Sequence, residues 1–425
     1  MKKPRFSLGS IVMLLATLFV VIGMAAFLTL IAGDGVYERT RAVFGLLADQ
    51  TEEATAAPTG VPTASPMPEI TKGPTPSPSP TATPALEPKR LTIAAAGTIY
   101  APKTVRESVQ EGTDHYDFMT TFEGLSGALE NADLSIVTLE TLAAGREKGY
   151  GNYNTTPQIL DALRAVGVNF VSLATERALD KGYDGLDITA SELTSRSIGF
   201  AGVYPDGTNT GAAMANIDGV QVAVLAYTYG LSDEGRERTR DDSRGVVAMM
   251  DSQRVVRDIT QARVDGANIV VVLPHWGTKN RAQTPDTVQT MAREMAQAGA
   301  DVIFGTHPNV AQGVERLQTV RSDGLTYETV VCYSLGCLLT DARDNENTAG
   351  MAVRLEMTYD PATRRASLGT LEIVPLYIAR QREDSGIVYR VVDAENEQAI
   401  QSLTTTEQAA AAQAVERVKN ATQEE

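Results

Sequence analysis

The sequence is poor in histidine, cysteine and tryptophan, and it has no excess of basic residues. Its 425 residues include three histidines, two cysteines and one tryptophan, and the formal net charge is −16. Nucleic-acid binding requires a basic surface, so this charge argues against a nucleic-acid partner. The Walker phosphate loop, the G-x-S-x-G nucleophile elbow and the H-E-x-x-H metal pair are also absent from the sequence.

Charged residues are missing from one long stretch, residues 6–33, which consists mostly of aliphatic side chains. A transmembrane helix needs about 20 apolar residues, whereas the apolar core of a cleaved signal peptide, the alternative, has about 7–15. The flanking charges are Lys2, Lys3 and Arg5 before the stretch and Asp34 and Glu38 after it. Because cytoplasmic flanks are rich in Lys and Arg, the sequence predicts a single-pass protein of the cell membrane with a cytoplasmic N-terminus. Residues 10–32 would contact the membrane, and the main domain would be extracytoplasmic.

The composition divides the chain into four segments. Residues 1–33 are predicted to be the cytoplasmic tip and the transmembrane anchor. Residues 34–89 combine a juxtamembrane segment with a linker rich in Pro, Thr and Ser, which cannot bury an apolar core. Residues 90–385 are predicted to form one α/β domain, and residues 386–425 a C-terminal extension that we expect to be helical.

Apolar strand patterns alternate with helical patterns within the predicted α/β domain. The predicted strands include Leu91–Ala96, Leu134–Leu139, Val168–Ala174, Val220–Tyr227, Ile269–Leu273, Val302–Phe304, Val330–Ser334 and Met351–Tyr359. The predicted helices are Pro157–Val166, Ile188–Ser195, Arg254–Val264 and Asp286–Ala298. Such alternation is typical of βαβ units, in which right-handed helical crossovers join parallel strands.

Two of the three histidines follow predicted strands. His275 comes after Ile269–Leu273, and His307 comes after Val302–Phe304. Ligands of open α/β sheets bind at the carboxyl ends of strands, and neutral imidazole binds divalent metals or phosphoryl oxygens. Both residues are therefore candidate catalytic residues, with a structural role at the strand end as the alternative. Glu140, at the end of a third strand, is either a cation ligand or a solvated carboxylate.

The remaining scarce residues have weaker functional readings. Trp276 is either a stacking platform for a ligand or a core aromatic residue, and we favour the core. Cys332 and Cys337 do not have zinc-site spacing, and two buried thiols are favoured over a disulfide because disulfide geometry is strict. His115 lies in a polar segment and is expected at the surface.

Several ordered motifs within residues 90–385 resemble the CapA family of poly-γ-glutamate capsule synthesis proteins. They are Thr138-Leu139-Glu140, His275-Trp276-Gly277, Gly299-Ala300-Asp301, His307-Pro308-Asn309 with Gln312, and Tyr333-Ser334-Leu335-Gly336. The resemblance implies a calcineurin-like metallophosphatase fold, which is a four-layer α/β sandwich of β-sheets flanked by helices, here preceded by a transmembrane helix. It also implies metal ligands at the strand ends.

The chain departs from the family at most metal-ligand positions. Thr98 stands where the family has an Asp, and Thr175-Glu176-Arg177 replaces an Asn-Asn-His triplet. The candidate metal ligands that the resemblance leaves are Glu140, Glu176, His275 and His307. The candidate ligand or anion contacts are Arg177, Lys279, Trp276 and Asn309, of which Lys279 replaces a Glu and Asn309 a His. The added positive charge predicts that a divalent metal (Mn, Zn or Fe) binds weakly or not at all, so the cofactor stays unassigned.

Three functions are compatible with these observations. The resemblance favours an accessory protein that assists synthesis, export or anchoring of an anionic cell-surface polymer, with the polymer or membrane-bound synthase components as partners. The alternative is a metal-dependent phosphoesterase or hydrolase with an altered ligand set. A third interpretation is a scaffold whose cleft is not used. Enzymatic activity is left open, because fold carries over between relatives more safely than chemistry does.

Overall fold

Two β-sheets with helices on their outer faces make up the computed structural model, which describes residues 87–423 except 206, 208–210, 240–245, 345 and 385. The described strands are β1 (Lys89–Ile99), β2 (Leu134–Leu139), β3 (Phe170–Ser172), β4 (Gly199–Ala201), β5 (Ala213–Ile217), β6 (Val220–Thr228), β7 (Ile269–His275), β8 (Val302–Phe304), β9 (Val314–Val320), β10 (Thr326–Cys332), β11 (Cys337–Leu339), β12 (Ala349–Asp360), β13 (Arg365–Glu383) and β14 (Gly386–Asp393). The described α-helices are α1 (Lys103–Ser108), α2 (Met119–Phe122), α3 (Ser126–Leu129), α4 (Gln158–Ala165), α5 (Gly182–Ser195), α6 (Asp233–Arg238), α7 (Ser252–Val264), α8 (Asp286–Ala298), α9 (Glu397–Gln401) and α10 (Thr405–Gln423).

The first sheet is antiparallel on one side and parallel on the other, and the second sheet has a parallel centre with an antiparallel strand at each edge. The first sheet has the order β14-β13-β12-β1-β2-β3-β4, with β11 beside the end of β1, and β1 to β4 run parallel. The second sheet has the order β5-β6-β7-β8-β10-β9, in which β6, β7, β8 and β10 run parallel. Strands covered on both faces are continuously apolar, and β7 begins with the fully buried run Ile269–Leu273 for this reason.

The hydrophobic core lies in three main layers. One apolar cluster lies between the two sheets and includes Ile93 of β1 and Val271 of β7. A second covers the outer face of the first sheet under α4 and α5, and a third covers the outer face of the second sheet under α7 and α8. The order helices, sheet, sheet, helices confirms the predicted α/β arrangement of β-sheets flanked by helices.

The C-terminal extension differs from its prediction. Residues 386–393 form strand β14, which pairs antiparallel with β13, so the predicted boundary at 385 separates two strands of one sheet. The expected helical structure begins only at α9, and α10 packs with α9 on β13 and β14 through Ala411 and Ala414. Small, half-buried edge strands carry a weak sequence pattern, which explains the error.

The predicted membrane anchor and the linker, residues 1–86, lie outside the described residues. Among the residues that the structure does describe, none of the helices is both long enough and apolar enough to cross a membrane.

Candidate functional site

The predicted site residues gather at one edge of the sandwich, where the parallel strands of both sheets end. Glu140 directly follows β2, and Glu176 lies four residues after β3. In the second sheet His275 ends β7, and His307 lies three residues after β8. All four side chains belong to buried residues, which are 1–6% exposed. The rule that ligand sites lie at the carboxyl ends of strands therefore located this cluster correctly.

The two histidines contact each other directly. Nδ1 of His307 lies 3.2 Å from Nε2 of His275, and Nδ1 of His275 lies 3.2 Å from the hydroxyl oxygen of Thr306. Burial lowers the pKa of His307 to about 4 and holds the pKa of His275 well below its usual value, with Lys279 adding to both effects. Both imidazoles are thus neutral at pH 7. His307 also has a φ of 99°, a conformation that costs energy for a non-glycine residue and recurs at functional sites.

Glu176 is the electrostatic centre of the cluster. One carboxylate oxygen accepts a hydrogen bond from Nζ of Lys279 at 2.5 Å, and the other accepts one from the Tyr229 hydroxyl. Nε of Arg177 lies 3.3 Å from the first oxygen. Although burial opposes it, the hydrogen bonds from Lys279 and Tyr229 lower the pKa of Glu176 below its usual value, so the side chain is ionised and each of its oxygens already accepts a hydrogen bond.

Arg177 is fixed from two further directions. Its guanidinium lies 4.0 Å from the ring centre of Tyr153, and its Nη1 lies 3.3 Å from a carboxylate oxygen of Asp180. The Ser232 hydroxyl donates to the other oxygen of Asp180. Arg177 is therefore a positioned cation at the side of the cluster, and its side chain is 22% exposed.

Glu140 differs from Glu176 in having no hydrogen bond or ion pair from its carboxylate to any described residue. Burial raises its pKa to about 7, an effect that Lys279 reduces and the carboxylate of Glu176 increases. The hydroxyl oxygen of Thr98, at the end of β1, is also buried without a described partner. The cluster thus holds an acid without a described hydrogen-bond partner, and burial raises the pKa of this acid toward neutral pH.

The described residues do not fit a metal centre of the kind that the resemblance implies. Both oxygens of Glu176 and both ring nitrogens of His275 already have partners, and Lys279 and Arg177 add positive charge beside Glu176. Within the described ranges, no three His, Cys, Asp or Glu side chains converge as a metal-binding group. The predicted ligand set Glu140, Glu176, His275 and His307 is therefore brought together as a cluster but not arranged as metal ligands.

Two of the candidate ligand contacts have side chains that make no hydrogen bond to the cluster, and Trp276 has the core position that was favoured for it. Trp276 is a core residue, 2% exposed, whose indole N–H donates to the carbonyl oxygen of Tyr333 at 2.9 Å, so it does not line the cluster. Asn309 lies in the loop after His307 with a φ of 64°, and no hydrogen bond joins its side chain to the cluster. Cys332 and Cys337 are buried free thiols, as favoured from the sequence.

Sequence reasoning missed three members of the cluster. The ring centre of Tyr229 lies 4.5 Å from that of His307 with the two rings tilted by 51°, and Tyr229 is 49% exposed. It directly follows β6, so the strand-end rule was a usable signal for it. Asp180 and Tyr153 had no such signal, because their positions depend on loops that pack only in the folded chain.

Comparison with known proteins places the chain among capsule synthesis proteins. Its listed relatives include the capsule biosynthesis protein CapA of Bacillus anthracis, 24% identical over 69% of this chain and 68% of that protein. The PGA biosynthesis protein CapA of Bacillus subtilis is 25% identical over 53% of this chain and 54% of that protein. A probable polyglutamine synthesis accessory protein of Mycobacterium tuberculosis is 24% identical over 60% and 69%. This chain thus spans about half of the second relative and about two thirds of the others.

Solved structures show a more distant likeness. A calcineurin-like phosphoesterase from Bacillus subtilis has 15% identity and a TM-score of 0.41, covering 78% of this chain and all of that one. A phosphatase from Mycoplasma pneumoniae has 10% identity and a TM-score of 0.37, covering 68% and 94%. Residues 92–342 match the model of the bacterial capsule synthesis protein family PGA_cap, which is more than half of the chain. The resemblance read from the motifs is thereby confirmed, and the chain belongs to the PGA_cap family of bacterial capsule synthesis proteins.

Proposed function

We propose that this chain is a membrane-anchored, extracytoplasmic accessory protein that assists the synthesis, export or anchoring of poly-γ-glutamate or a similar anionic polymer. Its partners would be the polymer itself or membrane-bound polymer synthase components, and it would act without full binuclear metal catalysis. The family and the printed names of the relatives support the polymer, and the uncharged stretch at residues 6–33 supports the anchor.

One observation carries the proposed role of the cluster: its two partly exposed cations meet at Glu176, in a cluster that also contains a neutral histidine pair. The side chain of Lys279 is 38% exposed and that of Arg177 is 22% exposed, whereas that of Glu176 is 8% exposed. An ammonium group has three donor hydrogens, and Glu176 takes one of those of Lys279. A carboxylate of the polymer would bind the remaining donors, and protonated Glu140 would supply a further donor beside it.

Substituting Lys279→Met is expected to weaken binding of a γ-glutamyl oligomer by about tenfold or more, because a charge-assisted hydrogen bond is lost. The chain has only three histidines, so the imidazole NMR signals of His275 and His307 report binding, with exposed His115 as an internal reference. Binding to the unmodified chain should strengthen as the pH falls from about 8 to 6, because protonation of Glu140 removes a negative charge beside the ligand.

Lys419→Met is the matched control, because Lys419 lies on α10 and forms an exposed ion pair with Glu395. It should bind the oligomer as the unmodified chain does. Equal affinity of the Lys279 variant and the unmodified chain, with unmoved signals of both buried histidines, would remove the cluster from the proposed function.

A metal-dependent phosphoesterase remains the alternative function, because two imidazoles and two carboxylates lie together in one buried cluster at the strand ends. We expect the full chain, loaded with Mn²⁺ or Zn²⁺ and then desalted, to retain much less than about one ion per chain. The reason is that a like charge near 4 Å from a metal costs about 4 kcal/mol per unit of metal charge at an effective dielectric constant of about 20. Metal analysis measures this directly, and stoichiometric retention would establish the alternative.

A further inference from the structure

A second charged cavity lies at the opposite end of the second sheet. It encloses about 630 Å³ and contains residues that precede the parallel strands, such as Asn268 before β7 and Asp301 before β8. Tyr359, at the end of β12, lies at the same end because β12 runs antiparallel to β1. We call this cavity the arginine groove, because its charged lining residues are Arg263, Arg321, Arg364 and Arg365 with Asp301 and Asp323.

Two of the arginines form the fixed floor of the arginine groove. Arg263 and Arg321 both pair with Asp301, which is 4% exposed, and they also donate to backbone carbonyl groups that include Gly299 and Ala300. The Asp301 carboxylate is therefore paired with two guanidinium groups. The guanidinium of Arg321 lies 4.2 Å from the ring centre of Tyr327, and this tyrosine lines the groove beside Arg321.

The other two arginines are available to a ligand. Arg364 is exposed, and no hydrogen bond or ion pair joins it to another residue in the described part of the chain. The guanidinium of Arg365 lies 4.5 Å from the ring centre of Tyr327, and one of its N–H groups donates to the carbonyl oxygen of Thr326. Asp323 accepts from the Tyr327 hydroxyl at 2.6 Å. The lining thus carries more arginines than acids, on a chain whose net charge is −16.

We propose that the arginine groove is a second binding site, for a run of carboxylates on an extended anionic chain, with Arg364 and Arg365 as the contacts. The identity of that chain rests on the proposed function. Guanidinium groups bind carboxylates in a bidentate way, and a cavity of this volume is in the range of ligand sites. In the strand-end cluster, Lys279 and Arg177 are already engaged by acids, whereas Arg364 is not. We therefore expect the groove to add more binding free energy for a long polymer than for a single γ-glutamyl unit.

The test measures binding of fluorescently labelled poly-γ-glutamate to the full chain in detergent solution. The variant R364E/R365E should bind the polymer about tenfold more weakly or worse, because two favourable charges become repulsive. The single variant R364E should show part of this loss, and its exposed position makes unfolding an implausible cause. Affinity for the polymer should also fall steeply between about 0.05 and 0.5 M salt, because exposed charges are screened.

Arg382→Glu is the matched control, because Arg382 is an exposed arginine at the other end of β13 from Arg365. The control should bind the polymer within about twofold of the unmodified chain. Polymer binding by R364E/R365E that equals that of the control would overturn the groove proposal. If only K279M loses polymer binding, the result supports the proposed function of the cluster and contradicts the groove proposal. If only R364E/R365E loses polymer binding, the result supports the groove proposal and contradicts the role of the cluster. An unmodified chain that binds no polymer would overturn both.

Discussion

Glu140→Gln is expected to raise the free energy of unfolding by about 3 kcal/mol at pH 8. Burial raises the pKa of Glu140 from 4.5 to about 7, and each pKa unit corresponds to about 1.4 kcal/mol. In the folded chain the carboxyl group is therefore protonated over a range where the unfolded chain has lost its proton. The resulting penalty is absent below about pH 4.5, grows as the pH rises, and is complete above about pH 7. Gln cannot ionise, so the variant does not experience this penalty.

Urea denaturation of both proteins between about pH 4.5 and 8 measures this prediction. The difference between the two free energies should shrink toward zero at the acid end. The two buried histidines also shift stability in this range, in the opposite direction, but they are present in both proteins and cancel in the difference. Glu356→Gln, an exposed residue on β12, is the control and should change stability by less than about 0.5 kcal/mol. A pH-independent difference at Glu140 would contradict the raised pKa.

Gly305→Ala is expected to destabilise the fold by about 3 kcal/mol and to displace His307. A Cβ atom at Gly305 would lie closer than 3.0 Å to the backbone carbonyl of Tyr333. That carbonyl oxygen accepts the indole hydrogen bond of Trp276, so the added methyl group meets backbone and a fixed ring, neither of which yields easily. Because Gly305 lies two residues before His307, the strain should reach the histidine pair.

Gly313→Ala, in the same connection to β9, is the matched control, since the nearest atom to its added Cβ lies at 3.6 Å. It should leave stability nearly unchanged. Thermal unfolding measures stability for both variants, and imidazole NMR signals measure the arrangement of His275 and His307. Unchanged stability and unchanged histidine signals in the Gly305 variant would show that the strand ends are less tightly packed than the structure indicates.

The central strands and the histidine pair were predictable from sequence. Leu134–Leu139 and Asp286–Ala298 have the predicted bounds, because strong apolar patterns set both elements. The approach of His275 to His307 follows from the adjacency of β7 and β8, which parallel βαβ order favours. The outer strand β13 was not predicted, because its half-exposed residues alternate poorly.

The ion pair between Lys279 and Glu176 could not be predicted from the sequence. Lys279 and Glu176 are 103 residues apart and come from different sheets, so only the packing of one sheet on the other sets their distance. The sequence placed extra positive charge near the same edge, but not its partner. The raised pKa of Glu140 could not be predicted from the sequence either, because it depends on burial and on the absence of a hydrogen-bond donor.

The charged members of the strand-end cluster lie in the connections that follow strands, while most of the apolar side chains between the two sheets lie within the strands. The residues that form the candidate site and the residues that hold the two sheets together therefore occupy separate stretches of the chain. A lineage can exchange an acid for a base at this rim without opening a void between the sheets. One scaffold can in this way carry sites for different ligands at the same edge.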